Sequence, residues 1–143
     1  MPLRNKTMIA PYGQLAAQLA VVLFFVNLSL AFLFFVIKRS AWKAVKVASV
    51  KLARKLMKSH IYVGIAGTAL IVIHAGVMLA QLGRYVGYVH PKMVSGYAAI
   101  LLLAITVAAG YLRSRRASGF RRKFHLTAAL VFAGLFLAHI FVR

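Results

Sequence analysis

Four long apolar runs limit what this chain can fold into, because each is long enough to cross a lipid bilayer as a helix. A transmembrane helix needs about 20 consecutive apolar residues. The runs lie at about 12–37, 59–82, 92–112 and 122–142. Inside hydrocarbon every backbone polar group must be bonded within the protein, and a helix meets this need by itself. The sequence therefore predicts an all-α, transmembrane four-helix bundle that forms a single membrane domain over residues 1–143.

The charge balance is one-sided, because the 143 residues include 19 Lys and Arg but no Asp or Glu. Negative charge is then expected from outside the polypeptide: from anionic lipid, an acidic partner subunit or a bound anionic cofactor. A nucleic-acid-binding protein carries its positive charge on a soluble face. Here the charges lie between apolar runs, so we exclude nucleic acid as a partner. The absence of Cys excludes disulfides, iron–sulfur ligation and thioether-attached haem on this chain.

The basic residues also predict how the chain is oriented in the membrane. The links at 38–58 and 113–123 carry eight and six Lys or Arg. The opposite side carries only Arg4, Lys6, Arg84, Lys92 and Arg143. The positive-inside rule places both links on the cytoplasmic face of the cell (inner) membrane and both termini on the outer face. Apolar residues recur at helical spacing in the 38–58 link. This indicates either an amphipathic helix at the membrane surface or a solvated charged segment beside anionic lipid.

Two segments of equal length begin and end with histidine, "HIYVGIAGTALIVIH" at 60–74 and "HLTAALVFAGLFLAH" at 125–139. Fourteen helical steps of about 100° fall only about 40° short of four turns, so both histidines of a segment lie on nearly one face, about 21 Å apart along the axis. The two segments belong to runs with the same predicted direction. We therefore expect two facing pairs, His60 with His125 near the cytoplasmic face and His74 with His139 nearer the outer face.

A facing pair of imidazoles is the ligand set of a six-coordinate haem iron. Smaller divalent metals require three or four converging ligands, and the chain has no carboxylate or thiolate side chain to complete such a set. The sequence therefore predicts two haem b groups, and ligation of both axial positions favours electron transfer over oxygen chemistry. The alternative is that the four histidines only form hydrogen bonds between helices, but their equal spacing favours the ligand role.

Residues near the histidines fit this prediction. Gly64 and Ala128 provide little side-chain bulk near the cytoplasmic pair, and Gly67 and Phe132 lie midway between the two pairs. Basic residues are candidates to bind the haem propionates. On the cytoplasmic side these are Arg54, Lys55, Lys58, Arg121, Arg122 and Lys123, and on the outer side Arg84, His90, Lys92 and Arg143 are available.

Other polar and small residues are assigned structural roles. Asn27 is expected to join two helices, and His90 is expected to lie in a loop. Ser95, Gly96 and Gly110 are expected to allow close helix contact.

The two histidine segments resemble those of the dihaem membrane cytochromes b, both the ferric reductase and NADPH oxidase transmembrane family and the four-helix core of respiratory cytochromes b. The resemblance covers the second and fourth runs but not the first. It implies axial ligands at His60, His74, His125 and His139. The chain departs from these families in having no length for a flavin and nicotinamide domain and no acidic residue for a quinol proton.

The sequence thus favours a dihaem b-type protein that passes electrons across the membrane, to or from a partner subunit. One alternative is a membrane oxidoreductase that acts on quinone, superoxide or ferric iron. Another is a haem-free structural subunit of a membrane complex. Whether the chain is itself an enzyme stays open, because electron transfer requires no bond-making chemistry of the polypeptide.

Overall fold

The computed structural model describes residues 10–116 and 118–142, and this part of the chain is helical without any strand. The helices are α1 (Ala10–Arg39), α2 (Lys43–Val86), α3 (Pro91–Arg115) and α4 (Gly119–Phe141). All four are long and apolar enough to cross a membrane, as is typical of an integral membrane protein. The all-α class and the four helices are confirmed, whereas the orientation of the termini stays a prediction. Arg4, Lys6 and Arg143 lie outside the described residues.

Helix α2 is longer than the predicted second span. Its 44 residues extend about 66 Å at 1.5 Å per residue, and it includes most of the basic 38–58 link. The helix expected within that link is present, but it continues into the second span without a break near Ser59. No Gly or Pro lies between Lys43 and Val63, so nothing in the local sequence ends the helix.

The chain divides into two compact units, unit 1 (Met1–Val77) and unit 2 (Met78–Arg143). In unit 1, α1 packs against the first part of α2. Leu30 and Leu33 of α1 are buried with Ala53 of α2, and the partly buried Ile37 and Leu56 pack against them. Many other apolar side chains on both helices are exposed, as expected for helices whose outer surfaces contact lipid.

In unit 2, α3 packs against α4. The buried residues of α3 are Met93, Ala99 and Ala109, and those of α4 are Ala128, Phe132, Ala133 and Phe136. Alanine predominates at these positions. Small residues let two backbones approach closely, which is how helices commonly associate within a membrane.

The helix ends of unit 2 are capped by side chains. His90 is the N-cap of α3, where its ring Nδ1 accepts a hydrogen bond from the backbone N–H of Lys92. Ser118 is the N-cap of α4 and accepts from the backbone N–H of Arg121. The Arg121 guanidinium in turn donates to the carbonyls of Leu112 and Arg116. These bonds satisfy polar groups that a helix leaves unpaired at its ends.

Lys92, at the start of α3, binds the last turn of α4. Its Nζ donates to the carbonyl oxygens of His139, Ile140 and Val142, at 2.8, 3.3 and 2.6 Å. An ammonium group has three protons to donate, and the C-terminal carbonyls of a helix carry partial negative charge. Lys92 therefore joins the two helices of unit 2 at the end where His139 lies.

We expect the substitution Lys92→Met to lower the free energy of unfolding by about 1–3 kcal/mol. The substitution removes the ammonium group, so the carbonyls at the end of α4 lose their charged hydrogen-bond donor. The measurement is thermal unfolding of the purified chain in detergent. Arg84→Met is the matched control, since Arg84 is an exposed cation in the same unit. Equal destabilisation of the two variants would contradict a specific role for Lys92.

Candidate functional site

The four histidines of the two paired segments all lie within helices and all are half-buried. His60 and His74 lie on α2, and His125 and His139 lie on α4. Each ring contacts the preceding helix of its own unit through Nδ1. The partners differ from one histidine to the next, but the same ring nitrogen is used in every case.

In unit 1, the α2 histidines bond to α1. Nδ1 of His60 lies 3.1 Å from Oδ1 of Asn27, and Nδ1 of His74 lies 3.0 Å from the carbonyl oxygen of Gly13. The two histidines are 14 residues apart, and so are their two partners. The helices are therefore antiparallel and stay in register over about four turns. The predicted role of Asn27 in joining two helices is confirmed.

In unit 2, the α4 histidines bond to α3. Nδ1 of His125 lies 3.1 Å from the carbonyl oxygen of Thr106. Nδ1 of His139 lies 2.8 Å from Oγ of Ser95, whose hydroxyl donates to the carbonyl of Lys92. The Ser95 hydroxyl can donate as well as accept, so this bond joins α3 to α4 without assigning the tautomer of His139.

Two glycines of α3 make room for these rings. A Cβ atom added to Gly96 would lie 3.3 Å from Cε1 of His139, and one added to Gly110 would lie 3.1 Å from Cε1 of His125. Both distances are tighter than ordinary packing contacts. The prediction that Gly96 and Gly110 allow close helix contact is confirmed, and the contact is with the two histidines.

These hydrogen bonds place a proton on Nδ1 of His60, His74 and His125. Carbonyl oxygens and the amide oxygen of Asn27 can only accept, so these three histidines donate from Nδ1. A neutral imidazole protonated at Nδ1 carries its lone pair on Nε2. In proteins a metal-binding histidine characteristically donates its other ring N–H to an oxygen acceptor, which orients the ring.

Four residues were predicted to line the haem sites, namely Gly64, Gly67, Ala128 and Phe132. The missing side chain of Gly64 faces Asn27, since an added Cβ would lie 3.5 Å from Nδ2 of that residue. A Cβ on Gly67 would lie 3.7 Å from Cβ of Leu23, also on α1. Both glycines are thus where α2 approaches α1. Ala128 and Phe132 are buried in α4, and the Phe132 ring lies 5.7 Å from that of Phe136.

Among the residues predicted to bind propionates, Arg54, Lys58 and Arg122 are exposed. Their role stays a prediction. His90 was expected to lie in a loop, and the structure gives it the additional function of capping α3.

Sequence reasoning did not identify the carbonyl acceptors Gly13 and Thr106, nor the bond between Ser95 and His139. A backbone acceptor leaves no mark in the side-chain sequence. The sequence did contain one signal of these contacts. The 14-residue spacing of the histidines recurs on α1, between Gly13 and Asn27, and on α3, between Gly96 and Gly110. Matching spacings on consecutive helices indicate contacts between them.

Among residues 10–116 and 118–142, no three or more His, Cys, Asp or Glu side chains come together as a metal-binding group. No protein-family model matches the chain, and comparisons with curated proteins and with solved structures found no match.

Proposed function

We propose that this protein is a dihaem b-type membrane cytochrome that passes electrons across a bilayer. His60 and His125 would be the axial ligands of one haem, and His74 and His139 those of the other. The donor and acceptor would be partner proteins or membrane quinone.

The single observation that supports this proposal best is that all four histidines form their bond to the preceding helix through Nδ1. Histidines that serve only as links between helices have no reason to share one ring nitrogen, since Nδ1 and Nε2 are equally able to donate or accept. Here all four use Nδ1 to bond an oxygen on the preceding helix, and three of them, His60, His74 and His125, donate to an oxygen that can only accept. This arrangement directs each ring and gives Nε2 the lone pair that binds iron.

The donor set fits haem. Two neutral imidazoles satisfy an iron that already has four porphyrin nitrogens, whereas Zn²⁺ or a similar ion needs three or four protein ligands. Haem would supply one-electron redox chemistry. The chain would supply ligation by the four histidines, orientation of each ring through its Nδ1 bond, and a positively charged surrounding for the propionates.

A reduced-minus-oxidised absorption spectrum of the purified full chain tests the proposal, combined with haem quantification as the pyridine haemochromogen. We expect a low-spin, b-type spectrum and two haems per chain. A colourless protein from cells supplied with haem precursor would overturn the proposal and favour a haem-free structural role. One haem per chain would contradict the two-site arrangement.

Steady-state assays of the same preparation separate electron transfer from an enzymatic role. A conduit needs a partner at both ends, so the isolated chain should be reduced by a chemical donor without sustained turnover of quinone, superoxide or ferric iron. Sustained turnover would instead identify an oxidoreductase.

A further inference from the structure

Helix α1 has two faces that differ in what they contact. One face packs against α2 and includes Gly13, Leu23, Asn27 and Leu30. At about 100° per residue, nearly the opposite face carries six residues that are spaced alternately by four and three positions. We call it the amide seam, and its residues are Gln14, Gln18, Val21, Phe25, Leu28 and Phe32. Two of the six are half-buried and four are exposed, so α2 does not cover the seam.

The two glutamines distinguish the seam from an ordinary lipid-facing surface. Both are exposed, and neither side chain has a hydrogen-bond partner among residues 10–116 and 118–142. The other amide of α1, Asn27, is bonded to His60. Gln18 lies about 12 Å along the axis from the start of α1 at Ala10, so it is within the apolar run. An amide in hydrocarbon is costly unless it is hydrogen-bonded, and acyl chains offer it no partner.

A second copy of this chain fits the seam. Copies that follow the same positive-inside rule share one direction in the membrane, so two α1 helices meet in parallel with identical residues at equal depth. A glutamine amide both donates and accepts hydrogen bonds, so Gln18 can bond to the same residue of the second copy around a two-fold axis. Steps of four and three residues average 3.5, the period at which two helices remain in contact as a left-handed supercoil.

We propose that the amide seam is the interface of a homodimer, in which the α1 helices of two copies pack in parallel. Gln14 and Gln18 form hydrogen bonds between the copies, and the apolar residues of the seam pack against each other below them. The interface does not depend on haem, because none of its residues is a predicted haem ligand or a predicted propionate partner. A chain that binds no haem would therefore overturn the proposed function and leave this inference standing.

Disulfide cross-linking of the full chain in liposomes tests the interface, because the chain has no Cys of its own. The single variants Val21→Cys and Phe25→Cys place a thiol in the seam. Val22→Cys and Val26→Cys are the matched controls, since each moves the thiol by one residue, or about 100° around the helix. A disulfide needs its two Cα atoms within about 7 Å. We expect mild oxidation to cross-link the two seam variants at least about ten times more than the two controls.

Energy transfer between donor- and acceptor-labelled chains, diluted stepwise with lipid, tests the two glutamines. We expect Gln14→Leu with Gln18→Leu to weaken dimerisation about tenfold, because the hydrogen bonds between the copies are lost. The control is Leu15→Ala with Leu19→Ala, since both leucines are exposed on α1 outside the seam. It should change the affinity of the dimer less than about twofold.

The proposal is wrong if the seam variants do not cross-link, which would leave the seam to lipid or to other helices of the same chain. It is also wrong if the two control cysteines cross-link as strongly as those of the seam. Unchanged dimer affinity in the glutamine double variant would equally overturn it. Unchanged helical circular dichroism establishes that the variants fold.

Discussion

Substituting His74 by Ala should remove one of the two proposed haems and leave the other in place. The remaining pair, His60 with His125, retains both ligands and both Nδ1–H bonds, so its low-spin spectrum should persist. Haem per chain, measured as the pyridine haemochromogen, should fall from about two to about one, since a single axial ligand holds iron far less firmly than a pair. Added imidazole should restore part of the lost absorbance by replacing the missing ring.

Double variants test which histidines share a haem. If His74 and His139 bind the same iron, the variant that lacks both should still contain one haem, whereas the variant that lacks His60 and His74 should contain none. His90→Ala is the control, since His90 caps α3 through its own Nδ1 and should leave both haems bound. Loss of both haems from the His74/His139 variant would show that the ligand pairs are assigned wrongly.

Altering the hydrogen-bond acceptors should shift the reduction potential of one haem at a time. Each proposed pair has one histidine bonded to a backbone carbonyl, which no substitution removes, and one bonded to a side chain, Asn27 or Ser95. An acceptor for Nδ1–H raises the electron donation of the ring to iron and so favours the ferric state. Asn27→Leu should therefore raise the potential of the haem held by His60 and His125, and Ser95→Ala that of the other haem.

The size of the shift follows from the strength of the lost bond. A hydrogen bond contributes about 0.5–1.5 kcal/mol, which for a one-electron couple corresponds to roughly 20–65 mV. Potentiometric titration with optical detection measures both haems together. Ser29→Ala is a suitable control, because the Ser29 hydroxyl donates to Val26 on its own helix and contacts no histidine. If the Asn27 and Ser95 variants shift neither potential, the Nδ1 bonds do not tune the ligands.

The location of the helices was predictable because membrane spans have a strong local signal. Apolar runs of sufficient length must be helical in lipid, and all four were found. The beginning of helix α2, by contrast, was not predictable from the bounds of the second apolar run. The basic segment before Ser59 differs in hydropathy from the span but not in helical tendency, so α2 continues through both. Hydropathy predicts where lipid begins, and it does not predict where a helix begins.

The candidate site residues were predictable where their side chains recur at a regular spacing in the sequence. The spacing of His60 and His74, repeated by His125 and His139, is visible in the printed letters because a helix places residues 14 apart on nearly one face. The structural role of Lys92, by contrast, was not predictable from the sequence. Among the described residues it is the cation whose ammonium binds the end of α4, whereas the sequence suggested only a cation on the outer side that was available to the propionates.

The sequence by itself determined the all-helical class, the four apolar spans, the excess of positive charge and the repeated histidine spacing, because each of these depends on residue type and local period alone. The tertiary structure decided which ring nitrogen each histidine uses, which acceptor it meets, and that Gly96 and Gly110 make room for two of the rings. These features require two helices to pack at a particular register. Half of the acceptors are backbone carbonyls, which every residue possesses and which only packing can select.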